Sequence, residues 1–200
     1  MALLCQFSSD LDGIITHVLS AFSVAFDREE PLRFEDYHDP DQASRTTLSV
    51  FRYPAQTSID EGVGHNKHTD LGTLTLLLTE QWGLQVLSPS TQQWEFVEPR
   101  PGMAVVNVGD SLRFLSDNVL KSSVHRVVPL QELQREDRYS LAYFLRPADD
   151  VTYRTATGEI VTARSWHDRK FNVFRESHEV QARDVILTGG MERGERIVVA

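Results

Sequence analysis

The stretch GHNKHTDLGTLTLLL, Gly64 to Leu78, sets two histidines, a lysine and an aspartate directly ahead of an apolar run. Burying such groups is costly unless something binds them, so hydrophobic packing does not account for the cluster. Residues two apart in an extended chain share a face. His68 and Asp70 are therefore expected to point together into the interior, with Thr69 pointing out. His65 is a rival ligand, but a spacing of three suits a helix and not one strand face. With Gly62 and Gly64 breaking any helix there, His65 is expected in the loop leading to the strand, near the mouth of a pocket. Lys67 alternates away from His68 and is expected to face solvent.

Outward from this stretch, short runs rich in β-branched and aromatic residues recur: TLSVFRY (47–53), GLQVL (83–87), WEFV (94–97), MAVVNV (103–108), SVHRVV (123–128) and YSLAYFL (139–145). SPSTQQ, EPRPG and VGDS separate some of them with turn-forming residues. Seven or eight closely spaced strands without intervening helices indicate an antiparallel jelly roll, a double-stranded β-helix. Ahead of it, Leu4, Phe7, Leu11, Ile14, Val18, Phe22 and Phe26 recur every three or four residues, as on one face of a helix. That helix ends at DREEP, and RFEDYHDPDQASR (33–45) is expected to cross the surface as a loop. After the strands comes a hairpin around Gly158 and then a helix with His167, Phe171, Phe174 and His178 on one face, docking on the sheet. The expected architecture is mainly β with flanking helices in a single domain over 1–200. It comprises an N-terminal helix (1–30), a jelly-roll core (46–147) and a C-terminal hairpin and helix (148–200).

Lys and Arg number 20 against 29 Asp and Glu, a formal charge of −9. That balance disfavours the broad basic patch that phosphate-backbone binding needs, so nucleic acid is not an expected partner. A local cleft with one or two cations remains compatible with a small anionic ligand. The single cysteine, Cys5, excludes an intrachain disulfide framework and a cysteine-only zinc site. No run approaches the roughly 18 uninterrupted apolar residues of a membrane span, and the N-terminus has no basic leader. The expected location is the cytosol, with no membrane association.

His125, in SVHRVV, sits on a later strand that a jelly roll can bring opposite His68 and Asp70. Two imidazoles and one carboxylate on one side of a metal leave three positions open, the facial triad of non-haem iron(II) sites that activate oxygen. In DRYSLAYFLRP (137–147), Arg138 and Ser140 again share a face. A buried guanidinium needs a partner, and its fork of donors matches a carboxylate, with the serine hydroxyl adding a further bond. No acid within the strands is an obvious partner, which reserves Arg138 for a ligand's carboxylate. Asn107 reads as a structural hydrogen-bonder in a strand-to-turn transition made by Gly109 and Asp110.

The order H-x-D, distal His, R-x-S, together with FRYP, HTDLGTLTLLL, WGLQV, VVNVGDSLRFLSDN, KSSVHRVV and RYSLAYFLRP, resembles the iron(II)- and 2-oxoglutarate-dependent dioxygenases. The likeness runs from Thr46 to Pro147 and is to the branch similar to isopenicillin N synthase and the plant and fungal natural-product oxygenases. The resemblance implies that His68, Asp70 and His125 ligate Fe(II). It further implies that Arg138 and Ser140 hold the distal carboxylate of 2-oxoglutarate and that Tyr53 contacts this cosubstrate. Dioxygen would be the second cosubstrate, with succinate and carbon dioxide released as a small natural product is hydroxylated, desaturated or cyclised. Many relatives carry an asparagine two residues before that tyrosine; here Phe51 stands there. They also carry a further N-terminal region that is expected to be missing here, so a catalytically impaired truncated form and a binding-only jelly roll stay open. So does an oxidase working without 2-oxoglutarate, although Arg138 and Ser140 argue against it. Residues expected near the substrate are His65, Lys67, Phe114, Phe144 and the helix from Trp166 to Phe174.

Overall fold

The computed structural model describes residues 2–57, 64–131 and 133–191. Gly62 and the tail from residue 192 onward lie outside the described residues. Two four-stranded antiparallel sheets form the core. The first runs in the order β1 (Thr47–Tyr53), β8 (Arg138–Leu145), β3 (Leu74–Leu78), β6 (Val105–Val108), and the second in the order β2 (His65–His68), β7 (His125–Val127), β4 (Leu84–Leu87), β5 (Trp94–Phe96). Apart from the neighbours β4 and β5, consecutive strands alternate between the sheets, as a double-stranded β-helix requires. A separate hairpin, β9 (Thr152–Arg154) and β10 (Ile160–Thr162), turns through Gly158, whose φ of 85° suits a residue without Cβ.

The strand period decides which side chains enter the barrel. Register pairs Phe51 with Ser140 and Tyr53 with Arg138 across β1 and β8, and Thr75 with Asn107 across β3 and β6, so these residues share the inner face. The opposite face carries Leu74, Leu76, Tyr143 and Leu145, which join Leu11, Ile15 and Leu19 of helix α1 (Ala2–Ala25) in one buried cluster. Each fully buried aliphatic side chain of this kind contributes roughly 1.5–3 kcal/mol. The buried stripe is rotated from the one the sequence suggests. Ile15 and Leu19 are enclosed while Ile14 is 53% exposed, because the sheet beneath, and not the helix period alone, chooses among neighbouring apolar positions.

Two expected elements differ. The stretch 33–45 is not all loop: Phe34–Tyr37 forms a 3-10 turn with Phe34 fully buried. Phe34 packs edge-on against Phe26, with the Arg28 guanidinium over its ring. The single C-terminal helix is two helices, α3 (Ala163–Val173) and α4 (His178–Arg183). Thr162 caps α3 by accepting from Ser165 N, and Ser177 caps α4 by accepting from Val180 N. α3 buries Ala163, Trp166 and Lys170, so His167, Phe171, Phe174 and His178 do not form a common docking face.

His38 joins the 3-10 turn to the core. Its Nδ1 donates to Phe34 O at 2.9 Å, which leaves Nε2 to accept from the Thr73 hydroxyl at 2.7 Å. Burial pushes its pKa down to about 4 despite the nearby Phe34 carbonyl and Asp12. An unfolded histidine takes up a proton near pH 6.5, so the native state loses stability as the pH falls from there towards 4. His38→Asn should flatten the fall in denaturation free energy between pH 7 and pH 5 by on the order of 1 kcal/mol; parallel curves for the two proteins would refute this.

Candidate metal centre

At the barrel's inner surface the ends of β2 and β7 meet. One ligand atom from each of His68, Asp70 and His125 lies within 4.8 Å of the other two. Asp70 Oδ1 is 3.7 Å from His68 Nε2 and 3.8 Å from His125 Nε2. Backbone carbonyls set the ring orientation: His68 Nδ1 donates to Asn66 O at 2.7 Å and His125 Nδ1 to Ser123 O at 3.0 Å. A carbonyl only accepts, so each Nδ1 carries the proton and each Nε2 presents its lone pair to the common point. The Asn107 amide donates to Asp70 Oδ2 at 2.8 Å, leaving Oδ1 to face the histidines.

The electrostatics favour an ionised Asp70 and a neutral His125. Burial opposes ionisation of Asp70, which is 5% exposed, but the facing His125 and His68 and the Asn107 amide hold its carboxyl well below the usual range. Burial and then the neighbouring His68 push His125 down to about 4. Two imidazoles and a carboxylate converging on one point suit a divalent ion of intermediate hardness with positions left open.

His65 is not in a loop. It begins β2, paired with Val127, while His68 pairs with His125; Asn66 and Lys67 together oppose Arg126 alone, a β-bulge. The extra residue turns both imidazoles to one side, and their rings stack at 4.4 Å and 24°. Thr69 does not point to solvent. It is fully buried behind His68 and Asp70, where its hydroxyl donates to Asp110 Oδ1 and its oxygens accept from Lys170 Nζ. Asp110 opens helix α2 (Asp110–Leu115) and is enclosed, in place of the expected open turn. Phe114 and Trp166 pack into the core and not beside the centre. Phe174 stands edge-on to His68 at 5.3 Å, and Phe51 contacts Tyr53, His65 and Phe144.

Further down the inner face, Arg138 is 3% exposed and, among the described residues, has no carboxylate within ion-pair reach. Its Nε donates to Trp82 O at 2.9 Å, and Nη1 and Nη2 make long contacts of 3.4 Å to Ser140 Oγ and Thr79 Oγ1. Its guanidinium lies 5.1 Å from the centre of the Tyr53 ring, and burial pushes the Tyr53 phenol up despite the adjacent charge. A Cβ on Gly83 would meet Arg138 Nε, so this glycine makes room for the guanidinium. Thr79 and Gly83 are site residues that the sequence motifs do not single out; the one signal within reach was a glycine opening the strand run GLQVL, which marks a close approach. Asn107, expected only to brace a strand-to-turn transition, holds the Asp70 carboxylate directly.

The chain belongs to the 2OG-Fe(II) oxygenase superfamily, whose sequence model matches residues 42–147. It is 62% identical over 164 residues to the oxidoreductase vrtI of Penicillium aethiopicum, covering 82% of this chain and 40% of that protein. It is 51% identical over 179 residues to the 2-oxoglutarate-dependent dioxygenase iboH of Amanita muscaria, covering 88% and 86%. A full-length Neurospora crassa protein crystallised in complex with alpha-KG superposes with a TM-score of 0.73 at 27% identity, covering 86% of this chain and 56% of that one. Against vrtI and the similarly related frbH and gloE, the chain spans 40% to 60% of the relative's length. Iron(II) and 2-oxoglutarate are the cofactor and cosubstrate from which the superfamily takes its name.

Close backbone crossing holds the turn after Asp70. Asp110 N donates to Asp70 O, Ser111 N to Gly72 O and Thr73 N to Leu145 O, and a Cβ on Gly72 would collide with the Leu145 carbonyl oxygen. Gly72→Ala should destabilise the protein by on the order of 2 kcal/mol, since backbone and not a flexible side chain must yield. Gly13→Ala, on the open side of α1 with nothing within 4 Å, should stabilise it by roughly 0.5–1 kcal/mol. Denaturant melts of the two variants check both signs.

Proposed function

We propose that this chain is an iron(II)- and 2-oxoglutarate-dependent oxygenase that oxidises a C–H bond of a small organic molecule, a natural product, by hydroxylation, desaturation or ring closure. In this reading His68 Nε2, Asp70 Oδ1 and His125 Nε2 hold Fe(II), and Arg138 with Ser140 binds the distal carboxylate of 2-oxoglutarate, Tyr53 lying alongside. The observation that carries it is the pairing, on one inner surface, of a converging His–Asp–His set with a buried arginine that lacks a carboxylate partner among the described residues. The relatives named as 2-oxoglutarate-dependent dioxygenases and the Neurospora crassa structure with alpha-KG support it.

The residues divide the work. Asn66 and Ser123 carbonyls orient the imidazoles, and the Asn107 amide occupies Asp70 Oδ2 so that Oδ1 alone turns to the ion. Iron(II) held by His68, Asp70 and His125 would leave positions open and would supply the oxygen-activating chemistry that converts 2-oxoglutarate and dioxygen to succinate and carbon dioxide as the substrate is oxidised. Arg138 aims the cosubstrate by a bidentate grip that a point charge does not reproduce. Phe51, Phe144 and Phe174 line the approach with apolar edges, which excludes water from the reacting groups. Neither a nucleic acid nor a membrane surface is a partner in this reading. The described helices are too short or too polar to cross a membrane, and with one exposed cysteine we assign the protein to the cytosol.

Under anaerobic conditions iron(II) plus 2-oxoglutarate should give a weak visible charge-transfer band that His68→Ala abolishes; a band surviving that change would refute the triad. Arg138→Lys should raise the 2-oxoglutarate requirement roughly 10- to 100-fold, the worth of one or two charge-assisted hydrogen bonds, with little effect on iron. Equal effects on both would make Arg138 a fold residue only. With oxygen admitted, a screen of candidate small molecules by mass should find a product heavier by one oxygen or lighter by two hydrogens. A band without succinate release would favour the binding-only reading, and turnover without 2-oxoglutarate would favour an oxidase.

A further inference from the structure

Behind the metal centre lies a second, fully enclosed polar cluster that the proposed reaction does not use. Lys170 of α3 and Asp110 of α2 are both 0% exposed, with Nζ 2.7 Å from Asp110 Oδ2. The ammonium uses all three donors, the other two going to Thr69 O at 2.7 Å and Thr69 Oγ1 at 2.6 Å. Asp110 Oδ1 in turn accepts from the Thr69 hydroxyl and the Ser122 hydroxyl, each at 2.9 Å. Arg113 Nη2 stands 3.9 Å from the same oxygen.

The sequence positions of these partners give the cluster its meaning. Thr69 is the residue between His68 and Asp70, and Ser122 precedes His125 by three residues in the segment leading to β7. The Asp110 carboxylate therefore joins the two chain segments that carry the three converging side chains. Lys170 clamps the Thr69 carbonyl from the far side, and Thr69 N donates to Leu187 O at 2.7 Å, so the peptide between the two ligands is held at its N–H, its carbonyl and its hydroxyl. A turn pinned at three points has little freedom to swing either ligand away.

We propose that Lys170, acting with Asp110, is a positioning residue for the metal centre, fixing the His68–Thr69–Asp70 turn in relation to the segment that carries His125. Partners that hydrogen-bond the ligands themselves typically govern metal affinity by 10- to 100-fold, and Lys170 with Asp110 acts one residue further out, through Thr69 and Ser122. An isolated buried charge is a severe fault, so removing Lys170 alone would mix loss of positioning with loss of fold. The pair is neutralised together instead. The proposal rests on reading His68, Asp70 and His125 as ligands, and its test separates the two.

The measurement is cobalt(II) binding to the apoprotein at low temperature, followed by the visible ligand-field band, with folding checked by circular dichroism. Asp110→Asn/Lys170→Gln should fold, bind cobalt at least tenfold more weakly and give an altered band. Glu159→Gln/Arg169→Gln, which removes an exposed ion pair between the same helix and the residue before β10, should bind as the unaltered protein does. A folded neutral pair with unchanged affinity and band overturns the proposal, as does a fall in melting temperature with cobalt binding intact. If the neutral pair does not fold, Lys170→Arg keeps the charge but displaces it, and the same tenfold loss is expected. Unchanged binding there, or failure of this variant also to fold, makes the pair a folding element and overturns the proposal. His68→Ala separates the two readings. Retained cobalt binding in that variant sinks the ligand assignment itself, whereas its loss beside normal binding in the neutral pair sinks only the role of Lys170.

Discussion

A carboxylate out of water is tolerated only when its surroundings replace the lost hydration. Asp70 is such a group, and meeting its needs organises much of the molecule. Its side chain draws on His68 and His125 from one sheet and Asn107 from the other, and its backbone carbonyl takes the N–H of Asp110. Satisfying one buried acid thus ties both sheets and the start of α2 to the same few atoms. The glycines at 72 and 109 follow from this constraint. Once the turn after Asp70 is drawn against β8 and α2, there is no space for Cβ at either position.

Thr69 separates two buried acids with opposite faces. On the inner side Asp70 Oδ1 is left open between two imidazoles, whereas on the outer side both oxygens of Asp110 are engaged, Oδ1 by two hydroxyls and Oδ2 by an ammonium. A group with both oxygens engaged is rigid and chemically quiet; one with an aimed, unoccupied oxygen is available to an ion. Arg138 follows the logic of Asp70 with the sign reversed. Its backbone and hydroxyl neighbours hold the guanidinium in place without neutralising it. The inner surface therefore presents one anionic and one cationic group, each incompletely satisfied, along a wall of aromatic edges.

The β-bulge in β2 shows how much depends on a single extra residue. In a regular ladder His65 and His68 would face opposite ways; the added residue turns both inward and sets His68 against a joined aromatic wall of His65 and Phe174. Phe174 reaches that position as the C-cap of α3, still in the right-handed helical conformation. The helix cap at Thr162, a local feature of a few residues, thereby helps shape the surroundings of a site built by strands distant in sequence.

The double-stranded β-helix and the inward pair Arg138/Ser140 were legible from the amino-acid sequence, because strand alternation is a local, period-two rule; the same spacing brought His68 and Asp70 together, although β2 ends at His68 and Asp70 stands in the turn beyond it. Motif order then singled out His125 as the third member. Tertiary structure alone decided that Thr69 faces a buried lysine and not water, that His65 lies in a strand, that Ile15 and not Ile14 enters the core, and that Phe114 and Trp166 belong to packing. None of these follows from spacing, since alternation says only that a side chain faces the other way, not what occupies that side. The partner across the interface, whether Lys170 from about a hundred residues downstream or the sheet under α1, is a long-range fact, and burial energetics act only once the elements have met.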